Sequence, residues 1–301
     1  MKKVCFILIV LLAQFRLFAQ DSLDYQVVHY FDLKCGPDTK KILFKVLVPA
    51  DMPHRQRVLE MTCSAQPLRI FNDGANSYAE FELLNPAEKT SLTISYKTRI
   101  WKNDYASVAK KGTRFTQMYA PEDLLPEKYI EADNPAIMQK AKSLASRDTT
   151  KMLKNIYEYV AKWISYKETP FTYGALKAFE NRWGDCTEFA SLFVALCRAN
   201  GIPARVISGL TTDFGNTPFH NWAEVYMHKY GWVAFDPTVG NEATFKEMKN
   251  KYIYLSNQQN DKNLNHHYFY AYKTWGDHVQ AKSSVKMYLI KYPYKLSAKQ
   301  P

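Results

Sequence analysis

The stretch from Gly184 to Pro203 constrains this chain more than any other. Phe189, Ala190, Phe193, Leu196 and Cys197 recur at helical spacing, and Asn200-Gly201 followed by Pro203 supplies a left-handed C-cap and a residue that cannot continue the helix. At the other end Gly184 gives the backbone freedom to enter tightly, and Asp185 suits the N-cap because its carboxylate can accept from the free N–H groups of the first turn. Cys186 is thereby expected at a helix N-terminus. Unpaired N–H groups and the positive end of the helix dipole favour an anion there, hence the thiolate, which is the nucleophilic form of cysteine. A lone cysteine in front of a helix is more often a small buried residue, so a functional reading depends on partners further along the chain.

Such partners are offered by a hairpin. Residues 221–226 and 232–235 are rich in aromatic and β-branched side chains and read as strands joined by the turn His228-Lys229-Tyr230-Gly231. A tight hairpin brings the start of its first strand and the end of its second to one edge of the sheet, and those places hold His220 and Asp236. Their separation of sixteen is even, which lets both side chains face the same side. Cys186, His220 and Asp236 then supply a nucleophile, a base and a carboxylate to orient the base.

The run GDCTEFASLFVALCRANGIPARVISGL, with HNWAEVY and GWVAFDPT after it, resembles the core of the transglutaminase-like superfamily, a branch of the papain-like cysteine-protease fold. The likeness is close over residues 182–238 and loose over 120–260. It implies that Cys186 is the catalytic nucleophile, His220 its base and Asp236 the residue that orients the imidazole. Such a site works on an amide of a peptide or protein through an acyl-thioester. Release to water makes a cysteine peptidase or amidase; release to an amine makes a transglutaminase. A binding or scaffolding protein that kept the fold and lost the chemistry is the alternative from another class.

Met1-Lys2-Lys3 is a short positive start, residues 4–13 are apolar apart from the sulfur of Cys5, and Ala19 precedes a cut at Gln20. Residues 1–19 therefore read as a secretory signal peptide, too short for the roughly 20 residues a bilayer span needs. The expectation is an exported protein, periplasmic or extracellular, with no membrane span after cleavage. Loss of the leader lowers the net charge from +11 to +8, because Lys2, Lys3 and Arg16 go and no acid does. The remaining basic residues are scattered among acidic ones and form no stripe, so no nucleic-acid partner is expected. An anionic envelope surface is the polyanion that charge and location suggest. Export permits disulfides, and Cys35 with Cys63 is the one pair that could form. Cys186 and Cys197 sit roughly 16 Å apart on one helix and cannot bridge.

The fold class expected is α+β: a transglutaminase-like catalytic core preceded by an all-β, sandwich-like domain. Residues 20–115 form that first domain, with strands over 25–31, 42–48, 68–71, 78–84 and 92–100 punctuated by Pro, Asn and Gly. Residues 116–301 form the second, with a proline-rich approach over 120–135, helices over 135–145, 151–165 and 174–179, a strand over 205–210, and strands over 251–255, 268–273 and 284–292. No cofactor or metal is expected, since His266-His267 is not at ligand spacing and no C-x-x-C pair exists. The Cys186 N–H is the first oxyanion donor, and sequence names no second. Trp163, Tyr166 and Tyr173 read as ordinary core or loop aromatics; Trp222 either walls the cleft or packs in the core.

Overall fold

Alternation of apolar and polar residues makes half-buried strands of much of residues 22–101, and the two strands within residues 270–289 obey the same rule. The computed structural model describes residues 22–53, 55–111, 119–212, 218–240 and 242–291; the leader, its cut and the middle of the loop 211–219 lie outside them. In chain order the elements are β1 (Ser22–Cys35), β2 (Lys41–Val48), β3 (Gln56–Cys63), β4 (Arg69–Asp73), β5 (Asn76–Leu84), β6 (Lys89–Trp101) and α1 (Tyr105–Lys111). They continue with α2 (Pro135–Leu144), α3 (Thr149–Trp163), β7 (Ser165–Tyr166), α4 (Ala175–Asn181), β8 (Trp183–Gly184), α5 (Cys186–Ala199), β9 (Ala204–Leu210), β10 (Phe219–Met227) and β11 (Gly231–Phe235). The chain closes with α6 (Glu242–Lys246), β12 (Ile253–Ser256), β13 (Tyr270–Trp275) and β14 (Val279–Leu289).

The class is α+β, as expected, but the strands are shared differently between the two halves. Two four-stranded sheets, ordered β14-β1-β6-β3 and β13-β2-β5-β4, face each other across one apolar core that includes Val27, Phe31, Phe44, Phe81, Ile94 and Val279. The sequence reading gives all of residues 116–301 to the second domain. Instead β13 pairs with β2 and β14 with β1, so the end of the chain returns to close the sheets begun at its start. Strand β3, at a sheet edge, shows no clean apolar alternation because a bulge between Val58 and Glu60 breaks its period and only Met61 and Cys63 pack, half-buried, on the sandwich core.

Cys35 and Cys63 are both unpaired. Cys63 lies opposite Ile94 on β6, and Ile94 lies opposite His29 on β1. Six residues at about 3.3 Å each put Cys35 roughly 20 Å further along the sheet, well beyond the reach of a disulfide.

In the second half α5 is buried all round, as expected of a helix at the centre of a domain rather than on its surface. One side packs on β9 and β10 of the antiparallel sheet β11-β10-β9-β12, and the others are covered by α2, α3 and α4. At its C-terminus Arg198 donates to the carbonyls of Ala204 and Leu125 at 2.8 and 2.7 Å, tying the proline-rich approach to the helix. Strand β12 joins the halves. Leu210, Ile253 and Leu255 bury into the sandwich core, and the Gln56 amide bonds the Tyr254 backbone as a strand would, accepting from its N–H at 2.8 Å and donating to its carbonyl at 3.1 Å. Gly209 lets these strands meet: a Cβ there would lie 2.0 Å from the Ile253 carbonyl oxygen and 2.6 Å from the Trp222 ring.

Candidate active site

Asp185 caps α5. Its carboxylate accepts from the Thr187 N–H at 2.8 Å, while Glu188 reaches back to the Asp185 N–H at 3.1 Å, a reciprocal capping box. Cys186 is thus the first residue of the helix, half-buried, at the positive end of its dipole. Gly184 serves close approach more than turning, since a Cβ on it would lie 2.3 Å from the Cβ of Glu188.

Strands β10 and β11 pair with Ala223 opposite Phe235, so Asp236 falls across from Trp222 and diagonal to His220 on one face. His220 Nε2 lies 2.7 Å from Asp236 Oδ2, and both side chains are almost fully buried. Asp236 has further partners: the Tyr252 hydroxyl donates to Oδ2 at 2.8 Å, the Thr238 N–H to Oδ1 at 3.0 Å, and Tyr157 Oη to its carbonyl at 2.8 Å. Burial alone lowers the His220 pKa. The Asp236 carboxylate and a hydrogen bond with the Cys186 side chain outweigh it and push the pKa up to about 10. With Nε2 held by Asp236, Nδ1 is the ring nitrogen left for the sulfur. The structure therefore brings together all three residues that the sequence singles out.

Trp222 packs in the core behind this pair. Its ring stacks on His220 at 6.2 Å between centroids and meets Tyr252 and Tyr254 edge-on at 5.2 and 5.0 Å, and it is wholly buried. Among the described residues no cluster of three or more His, Cys, Asp or Glu could hold a metal ion, and no helix is long and apolar enough to cross a membrane. A cavity of about 690 Å³ lies at the far end of β10, between Arg147–Thr150, Gly201–Pro203 and Tyr226–Tyr230. Cys186, His220 and Asp236 do not line it.

Sequence reasoning misses Glu188, although Asp185-x-x-Glu188 is itself a capping-box signature. It is fully buried, and besides the Asp185 N–H it accepts from Tyr173 N at 2.9 Å and Gly174 N at 3.4 Å. Burial, then the neighbouring Asp185 charge, raises its pKa to about 7. A raised carboxyl gives stability that is complete below the ordinary glutamate value and lost as pH rises through about 7. Glu188→Gln cannot titrate. The wild type's melting temperature relative to this variant is therefore expected to fall by several degrees between pH 5 and pH 8, and a difference flat with pH would count against the buried charge.

Comparison with known proteins fits this geometry. The profile of the Transglutaminase-like superfamily matches residues 137–237, which run from α2 through α5 to the residue after Asp236. Residues 137–237 form a transglutaminase-like core. The chain is 28% identical over 190 residues to the uncharacterized protein YebA of Bacillus subtilis, covering 54% of this chain and 25% of that protein. It is 34% identical over 70 residues to a protein-glutamine gamma-glutamyltransferase of Pseudomonas aeruginosa, covering 20% of this chain and 10% of the other. The chain thus spans a quarter or less of the length of these two relatives. A solved structure from Cytophaga hutchinsonii, provisionally named a cysteine protease, superposes with a TM-score of 0.65 over 91% of this chain and 93% of that one. At 15% identity this shows a shared fold, and it extends over the sandwich as well as the half that carries Cys186.

Proposed function

We propose that this protein is a thiol enzyme that cleaves amide bonds of peptides or proteins, with Cys186 as nucleophile, His220 as acid and base, and Asp236 as the group that orients His220. The observation that carries the reading is the buried His220–Asp236 pair aimed at a cysteine on the first turn of a helix. An imidazolium opposite the sulfur is the partner a thiolate requires. The sulfur attacks the carbonyl carbon, the C–S bond forms, and the displaced electron pair collects on oxygen, where the Cys186 N–H donates to it. On collapse the C–N bond breaks and His220 gives its proton to the leaving amine. Neutral His220 then takes a proton from water, whose oxygen displaces the thiolate and releases the acid. Tyr252 and Thr238 hold Asp236, so the ring keeps its direction through both proton transfers.

Water is the favoured acceptor because Cys186 is only half-buried and an acyl group on it stays open to solvent. The name of the Pseudomonas relative supports a second reading, acyl transfer to an amine. The lysine-led apolar start of the chain supports export, with the protein meeting its substrate in the periplasm or outside the cell, against an anionic envelope surface. One experiment separates the readings: wild type and Cys186→Ala are incubated with a pool of envelope peptides, with and without a labelled primary amine. New peptide termini that need Cys186 are the expected result. Labelled amine in the products would move the assignment to a transglutaminase, and neither product would leave a binding protein.

A further inference from the structure

The loop between β7 and α4 is fastened to the nucleophile turn along its length. Lys167 N donates to the Gly184 carbonyl at 2.9 Å, the Thr169 hydroxyl to Asp185 Oδ2 at 2.9 Å, and Tyr173 N to Glu188 at 2.9 Å. Yet its aromatic residues are left in solvent. Tyr166 is 51% exposed, Phe171 74% and Tyr173 37%, the last set edge-on against Trp183 at 5.6 Å. Tyr166 pairs with Gly184, two residues before the sulfur. After burial, the charge of Cys186 is the next largest influence that raises its pKa, to about 12. On the other side of the sulfur, Tyr268, itself 39% exposed, brings its hydroxyl to within 3.1 Å of Thr187 Oγ1. Among the described residues from 105 to 269, these four are all of the exposed large aromatics. Tyr166, Tyr173 and Tyr268 bond to the nucleophile turn or the first turn of α5, and Phe171 is tied to it through the Thr169 hydroxyl, which bridges the Phe171 carbonyl and Asp185.

Leaving such rings in water forfeits the gain of burying them. Scattered exposed aromatics are ordinary, but four gathered at one turn, three of them on a strap held by its own hydrogen bonds, make a preformed surface. We propose that Tyr166, Phe171 and Tyr173 form an apolar subsite beside Cys186 that takes a bulky apolar side chain of a peptide substrate, next to the scissile amide. This rests on Cys186 being the nucleophile. A peptide is the occupant because the rings flank the cysteine proposed to attack an amide, and Thr169, Asp185 and Glu188 beside them are already bonded to the loop and the helix cap.

The test compares the alkylation of Cys186 by iodoacetamide and by N-benzyliodoacetamide, read from the mass of the Cys186 peptide. In the wild type the benzyl reagent is expected to react about 10-fold faster, the scale for half-burying a phenyl ring. Phe171→Ala, a solvent-exposed change that should not disturb folding, is expected to cut the ratio to about 3-fold. A ratio near one in the wild type, or one that Phe171→Ala does not move, overturns the subsite. Protection of Cys186 by a chitin oligosaccharide that depends on Phe171 overturns it in favour of a sugar platform. A second arm keeps the subsite separate from the nucleophile: saturation-transfer NMR on Cys186→Ala with N-acetyl-Phe-Gly amide and its Ala analogue. Phe preference that is lost in Cys186→Ala/Phe171→Ala supports the subsite even if Cys186 proves unreactive, and equal signals from the two peptides overturn it.

Discussion

Replacing Cys186 with Ala is expected to lower kcat on any amide the wild type cleaves by on the order of 10⁵-fold, with His220→Ala nearly as damaging. The double variant should be no worse than either alone. The reason is that the sulfur and the imidazole act as one unit: His220 shares a hydrogen bond with the Cys186 side chain and is buried against Asp236, so it has no separate contribution once the sulfur is gone. Binding survives, as do the N–H groups at the start of α5, which Cys186→Ala leaves in place. Cys186→Ala should not unfold the protein, because Cys186 is half-buried and Ala is a good residue for a first helical turn. His220→Ala leaves the Asp236 carboxylate buried with only its Tyr252 and Thr238 partners, so a thermal melt accompanies its kinetics. Single-turnover kinetics on one peptide with the two single variants and the double one decide the matter. Additive losses would mean that His220 and Cys186 serve different steps, and a Cys186→Ala enzyme that still turns over would remove the proposed nucleophile.

The parts of this site that sequence discloses are those fixed by local periodicity. Helix α5 announces itself through its apolar spacing and its caps, and the β10–β11 hairpin through two short aromatic runs around a turn. Because strand side chains alternate, an even separation is enough to put His220 and Asp236 on one face, and the register found, Ala223 opposite Phe235, keeps it so. The parts that sequence does not disclose are set by pairings between distant residues. Tyr252 reaches Asp236 from beyond the hairpin, and nothing in its neighbourhood marks it. Strands β13 and β14 are recognisable as strands, but the choice of partner is made by the unfilled edges of the sandwich two hundred residues away. Tyr166 and Tyr173 read as ordinary core or loop aromatics in sequence; the strap that holds them against the nucleophile turn leaves them exposed.

The same kind of long-range pairing governs stability. Glu224 lies two residues beyond Trp222 on β10 and is wholly buried. One of its oxygens meets the Arg55 guanidinium and, at 3.0 Å, the Tyr254 hydroxyl; the other accepts from Arg205 Nε and Nη2 at 3.0 and 2.7 Å. Arg55 comes from the segment between β2 and β3, and its second nitrogen donates to the Trp232 carbonyl at 2.7 Å, so this carboxylate joins the sandwich to the sheet that carries His220. Burial would raise the Glu224 pKa, but the two arginines more than reverse it and hold the carboxyl below its ordinary value. Glu224→Ala strands two nearly buried guanidinium groups without a counter-charge. A loss of about 3–5 kcal/mol is expected, the usual cost of breaking a buried pair from one side, which is on the order of a 10 °C drop in melting temperature for a chain of this size. Arg55→Met should cost less, because Arg205 and Tyr254 still satisfy Glu224. The sign with pH comes from the lowered pKa: the stability from Glu224 is complete above the ordinary glutamate value of about 4.3 and is lost as pH falls through the folded value beneath it. Thermal melts of wild type and Glu224→Ala should therefore lie far apart at pH 7 and draw together on acidification below about pH 4. Equal melting temperatures at pH 7 would show that the carboxylate is not what joins the halves.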